Sequence, residues 1–270
     1  RVAQKYMRPE EVQILVVGNP SEFGEPLSAL GPVNEIDVSI PMPGGQPVPE
    51  ATGEAKEKGR LAVSLMLEKM GGREKMAAVQ NAEYIAKLLQ SSPMGEMAMD
   101  AAITIVFPDK SCSAMKLPQG EIKMILNGDK GMLVAPQGSM PAPEPVKNNM
   151  IENLFRDPFM LARLFDEVEV QYAGESTFAD KQATEVIISK GKLSYRLFID
   201  PAALLPLGTR YTTVGQMGPV EVEERYEDYR EVNGFQVAWK TLGFEKGEKA
   251  SETNVVSVTL DGTVDMTIFQ

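Results

Sequence analysis

The chain contains no histidine. Without imidazole there is no Ser-His-Asp or Cys-His nucleophile system, no His-based zinc site and no ordinary switch near neutral pH. Cysteine is nearly as scarce. Cys112 stands alone, so no internal disulfide can form, which leaves the compartment open. Lys110 and Lys116 flank it and would lower its pKa a little, but a tolerated small residue is the plainer reading. No stretch approaches the about 18 apolar residues of a membrane helix; the longest candidate, Ala101 to Phe107, has the length of a strand. A phosphate loop of the Gly-x-x-x-x-Gly-Lys-Ser type is missing too. These absences speak against a free-standing enzyme.

What is present suits a folded protein. The 43% hydrophobic content is enough for a proper core. The net charge of −11 repels phosphate backbones, so no nucleic acid is expected as a partner. The densest basic stretch, Lys56, Lys58 and Arg60, alternates with Glu54 and Glu57 and reads as a solvated helix face. The start shows no charged and apolar signal segment. It opens on Arg1 within an amphipathic pattern, as expected of a processed product or an excised segment.

Along the chain, residues 2–7 read as the end of a helix, Val12 to Gly18 as a buried strand, and Ser21 to Gly31 as a capped short helix. Val33 to Ile40 is extended. Pro41 to Glu50 then holds four prolines and two glycines, which sustain neither helix nor ladder. The domain boundary is expected here, with residues 1–40 before it, a linker over 41–52 and one domain over 53–270. Gly53 to Met70 reads as a helix with Leu61, Leu65, Met66 and Met70 near one face, ended by Gly71-Gly72. Strand patterns dominate afterwards: Met97 to Phe107, Ile122 to Leu126 before an Asn127-Gly128 turn, Leu193 to Ile199, Val220 to Arg230, Phe235 to Phe244, Val255 to Leu260 and Val264 to Phe269. One helical island, Val146 to Phe165, is expected to split at Asp157-Pro158. The fold class is α+β and mainly β. Some eight antiparallel strands form a large curved sheet, or half-barrel, with helices covering one face.

Two resemblances attach to these segments. Tyr6-Met-Arg-Pro-Glu-Glu-Val-Gln-Ile-Leu-Val-Val-Gly18, with Leu27-Ser-Ala-Leu-Gly-Pro-Val33 and Ile36-Asp37, resembles the C-terminal end of an insulinase/processing-peptidase-type zinc metallopeptidase domain. That family works through a His-x-x-Glu-His helix and a distal Glu. None of those positions exists here, so no catalytic residue and no metal ligand carries over. The resemblance implies no cofactor in this chain and places any zinc in sequence upstream of Arg1. Residues 68–270 resemble the outer-membrane lipoprotein-carrier-like (LolA-like) domains. The segments that carry this are Glu68-Lys-Met-Gly-Gly-Arg-Glu-Lys75, Phe107-Pro-Asp-Lys110, Leu126-Asn-Gly-Asp-Lys-Gly131, Leu197-Phe-Ile-Asp200 with Leu205-Pro206, and the hairpin Tyr226-Glu-Asp-Tyr-Arg-Glu-Val-Asn-Gly-Phe235 through Trp239.

The candidate chemistry is one of contact. Glu221, Glu223, Glu224, Glu227 and Asp228 read as the wet face of a strand in preference to a cation site or an acid-base pair. Asp100, Asp109, Asp129 and Asp180 read as turn residues. Of sixteen methionines, Met94, Met97, Met99, Met115, Met124 and Met132 fall close together in strand-rich sequence, an adaptable apolar inventory. An apolar cavity is expected between the curved sheet and the 146–165 helices. It would be lined by Met97, Met99, Ile103, Ile105, Phe107 and Met124, with Phe155, Phe159, Leu161 and Phe165 as its lid. The expected function is that of a non-catalytic C-terminal region of a zinc-peptidase-like protein, with a LolA-like domain for interaction or hydrophobic ligand binding. The alternative is a lipid or lipoprotein carrier. Partners would be a lipid, an acyl chain or a polypeptide, together with the chain's own upstream peptidase domain. The resemblance implies a periplasmic or otherwise extracytoplasmic location.

Overall fold

A computed structural model of the chain describes residues 52–92, 95–215 and 218–270. The expectations for residues 1–51, including the early strand, the linker and the boundary, lie outside the described residues, as does Met94. Helix α1 (Gly53–Met70) starts where the Thr52 hydroxyl accepts from the Ala55 amide, and it ends where Gly71 takes a positive φ of 135°. Its buried face is Gly59, Val63, Met66, Leu67 and Met70. The expected face was therefore wrong in part: Leu61 and Leu65 point outward, because the burying stripe starts from Gly59. At that glycine a β-carbon would lie 2.7 Å from the backbone nitrogen of Tyr172, so only hydrogen lets the helix lie this close to the sheet edge.

After the short helix α2 (Arg73–Ala78), six strands run as an antiparallel meander: β1 (Asn81–Ser92), β2 (Gly95–Val106), β3 (Lys110–Leu117), β4 (Gly120–Asn127), β5 (Lys130–Ala135) and β6 (Gly138–Pro141). The chain then leaves that edge through α3 (Glu144–Arg156) and α4 (Pro158–Leu164), which split at Asp157-Pro158 as expected. Seven more strands return: β7 (Glu169–Phe178), β8 (Lys181–Lys190), β9 (Leu193–Ile199), β10 (Pro206–Gly215), β11 (Gly218–Val232), β12 (Phe235–Glu245) and β13 (Glu248–Leu260). The last of them pairs with β1 and closes one sheet of order β6-β5-β4-β3-β2-β1-β13-β12-β11-β10-β9-β8-β7. The described residues thus hold thirteen strands where the sequence suggested about eight. Val264 to Phe269 is not among them. Asp265 accepts from the Thr267 amide and hydroxyl, and the segment Met266–Phe269 curls into a 3₁₀ turn.

The fold is α+β, mainly β, with a curved sheet whose inner face is filled by the helices. Val63, Met66 and Leu67 of α1, Met150, Leu154 and Phe155 of α3, and Phe159 and Leu161 of α4 pack there against Ile105, Val186, Ile188, Leu197 and Ile199. Arginines tie the helices together. Arg60 and Arg73 both reach Asp166 (3.1 and 3.0 Å) and stand over the Phe165 ring, while Arg163 donates to the carbonyl of Val79. On the outer face, Phe178 stacks on Phe198 at 4.2 Å, and the terminal turn lays Phe269 over Cys112 and Ile125.

Candidate functional site

The inner face carries two different surfaces. The first is the apolar contact between the helices and the sheet. Of the residues expected to line a cavity, Ile105, Phe107, Phe155, Phe159, Leu161 and Phe165 are buried together in one cluster, with Ile103 and Met124 packed against it. Phe159 is the hinge of this contact, 6.1 Å from the ring of Phe107 on one side and 5.4 Å from that of Phe235 on the other. Met99 is buried outside the cluster, and Met97 is 43% exposed.

The second surface is polar. A cleft of about 240 Å3 opens between α3 and the inner faces of β10 to β13 and β1. Asn149, Asn153 and Arg156 line it from the helix, and Tyr211, Thr213, Val222, Glu224, Gly243, Glu245, Ser251 and Gln90 line it from the sheet. Strand register explains the grouping. Glu224 is paired with Thr209 on β10 and with Gly243 on β12; Gly243 is paired with Ser251, and Ser251 with Gln90. One row across five strands therefore faces the helix.

Glu224 is held on both oxygens. Its Oε1 accepts from the Tyr211 hydroxyl at 2.9 Å and its Oε2 from the Tyr226 hydroxyl at 3.1 Å. Burial, followed by the neighbouring Glu224 carboxylate, pushes both phenols well above their ordinary range, so they remain donors at any physiological pH. Arg156 is largely covered, with its side chain 7% exposed. Its guanidinium sits 3.4 Å from the centre of the Tyr211 ring, donates to Asn153 and lies 3.9 Å from Glu152. Burial raises the Glu152 carboxyl, and Arg156 opposes that shift.

None of the cleft residues was expected from the sequence, although one signal existed. Glu223 and Glu224 are adjacent on a strand, so they must point to opposite faces. Glu223 faces outward and pairs with Arg210 (2.6 Å) and Arg225 (2.7 Å), while Glu224 faces the cleft. The acidic run is thus a wet face only in part. Among the described residues no group of three or more Cys, Asp or Glu side chains is placed to hold a metal ion.

No family model matches the sequence, and no curated protein matches it. The fold does have counterparts among solved structures. A DUF1329 family protein from Desulfovibrio piger superposes with a TM-score of 0.58 at 8% identity, over 78% of this chain and 97% of that one. A protein described as an outer membrane lipoprotein-sorting domain, from Vibrio parahaemolyticus, gives 0.54 at 10% identity over 79% and 97%. A LolA superfamily protein from Nitrosomonas europaea gives 0.53 at 13% identity over 76% and 96%. The fold is LolA-like. At such identities the likeness is one of fold alone. Within it the motif segments find their purpose. Asp228 takes a positive φ of 54° without shifting the register of β11 on β12, and it pairs with Arg230, which stands 4.4 Å over the Trp239 ring. The Asn233-Gly234 turn meets the Gly71 that ends α1, where a β-carbon would come within 2.7 Å of the Gly234 oxygen. The peptidase resemblance of residues 1–40 gains no support from these comparisons.

Proposed function

We propose that this chain binds a lipid, an acyl chain or a lipid-bearing polypeptide between α3–α4 and the inner face of the sheet, and that it works as a carrier or presenter without chemistry of its own. The supporting observation is the placement of the connection between the two sheet edges. It lies on the inner face and offers that face Met150, Leu154, Phe155, Phe159 and Leu161. Moving such a pair aside would expose apolar residues of the inner face, Ile105 and Phe107 towards one edge and Leu197 and Ile199 towards the other, suited to a ligand of variable shape. The LolA-like fold supports the same reading and an extracytoplasmic place of work. On this reading residues 53–270 are the binding domain, 41–52 a linker and 1–40 a separate segment. The other reading, a non-catalytic tail of a zinc-peptidase-like parent, rests on residues 6–37 alone.

Binding is tested with the purified protein, by organic extraction with mass spectrometry and by titration with a hydrophobic fluorophore. Saturable fluorophore binding that fatty acids reverse is the expected outcome. A lipid-free extract together with no fluorophore binding overturns the proposal.

A further inference from the structure

The polar cleft has a charge and a neighbourhood that narrow the ligand. We infer that it receives a protonated amine at the polar end of an amphiphile, whose chain runs over the inner faces of β1 and β2. The chain's path rests on the carrier reading above; the choice of head group rests on the cleft itself.

Charge is the first argument. Of the cations near the cleft, Arg225 and Arg210 pair with Glu223, Lys240 with Glu227 and Glu252, and Lys249 with Glu252; Arg156 lines the cleft itself, shared between Glu152 at 3.9 Å and the Tyr211 ring. Glu224 and Glu245 line the cleft with no ion-pair partner among the described residues. An anionic head would meet two carboxylates against one guanidinium that is already shared with Glu152, whereas an ammonium would redress that excess of negative charge.

Hydrogen bonding is the second. Each oxygen of Glu224 takes one tyrosine hydroxyl, and Oε2 also takes the Thr209 hydroxyl at 3.5 Å, which fixes the carboxylate and leaves lone-pair capacity on Oε1. Glu245, the Ser251 hydroxyl and the Gln90 amide oxygen add acceptors around it, while the Asn149 amide oxygen already accepts from the Thr213 hydroxyl. That set suits the three N–H donors of a primary ammonium.

Polarity across the sheet is the third. Gln90 lines the cleft, and its partner on β2 is Met97; two residues along the same faces, Leu88 is paired with Met99. The inner face therefore changes from polar to apolar within one strand, and Met97 is 43% exposed at that border. An amphiphile with its amine at Glu224 would lay its chain there.

The test uses the whole chain freed of lipid, at low salt and pH 7, with decylamine, decanol and decanoate as competitors of a bound hydrophobic fluorophore. Decylamine is expected to bind about tenfold or more tightly than decanoate, a preference that added salt weakens. Glu224→Gln should reduce it to about twofold. Glu245→Gln, at the exposed end of β12, should reduce it in part and covers the case in which the first variant misfolds. Equal binding of amine and carboxylate, tighter decanoate, or a preference that survives both substitutions overturns the assignment. If decanol binds and no amine preference is found, the head-group assignment alone falls. If none of the three competes, the carrier reading falls with it.

Discussion

Asp157 occupies the junction between two helices that cross the inner face, and its chemistry follows from that position. Its carboxylate accepts from the amides of Phe159 (2.8 Å) and Met160 (3.3 Å), which caps α4. Burial pushes its pKa up to about 6, and the two backbone hydrogen bonds only partly oppose the shift. A carboxyl whose folded pKa lies above its unfolded value stabilises the fold fully below about pH 4, and it loses that contribution as pH rises through 6. Asp157→Asn keeps the accepting oxygen and removes the charge. The variant is expected to be more stable than the parent at pH 8, by up to about 3 kcal/mol, with the difference vanishing near pH 4. Urea melts of both proteins at the two pH values check this; an equal difference at both would remove Asp157 as the cause. The residue was visible in sequence only as a helix break beside Pro158. Its cap role is local, but its raised pKa comes from burial, in a place where Tyr84 and Tyr195 arrive from distant strands and feel its charge.

Elements were legible wherever the signal was local. The Gly71-Gly72 stop, the Asp157-Pro158 break, the Asn127-Gly128 and Asn233-Gly234 turns, and the alternation in β9 each depend on a few neighbouring residues. Strands covered on both faces were not legible, because burial on two sides removes alternation. In β8, Val186, Ile187 and Ile188 are all buried. In β5, Leu133 packs inward while Met132 and Val134 pack outward under the terminal turn. Helix α1 shows how contact overrides pattern. Gly→Ala inside a helix ordinarily gains about 1 kcal/mol. At Gly59 the new methyl would meet the Tyr172 nitrogen at 2.7 Å and the Gln171 carbonyl carbon at 2.9 Å. Gly59→Ala should therefore cost about 1–3 kcal/mol, whereas Gly53→Ala, with nothing within 4 Å, should be neutral or better. Thermal melts of the pair decide it. A stabilised Gly59→Ala would mean that α1 lies free of β7.

At the scale of the whole molecule, two meanders, β1 to β6 and β7 to β13, share one sheet through the β1–β13 pairing and one core through α3 and α4. The main core belongs to both halves: Phe159 alone touches Phe107 from the first meander and Phe235 from the second. Unfolding is accordingly expected to be a single transition over residues 53–270. In urea, the fluorescence of Trp239 on β12 and the far-ultraviolet circular dichroism of all strands should give coincident curves. Separated midpoints would show that the meanders hold themselves. The apolar inventory, the acidic surface, the turns and caps, and the predominance of strands followed from the sequence by itself, since each depends on composition or on residues a few positions apart. The thirteen-strand order, the packing of the helices against the inner face and the polar cleft did not. Glu224, Tyr211, Gln90, Ser251 and Arg156 come from five separate elements. Only strand register, set by the pairing of the two ends of the domain, brings them to one place.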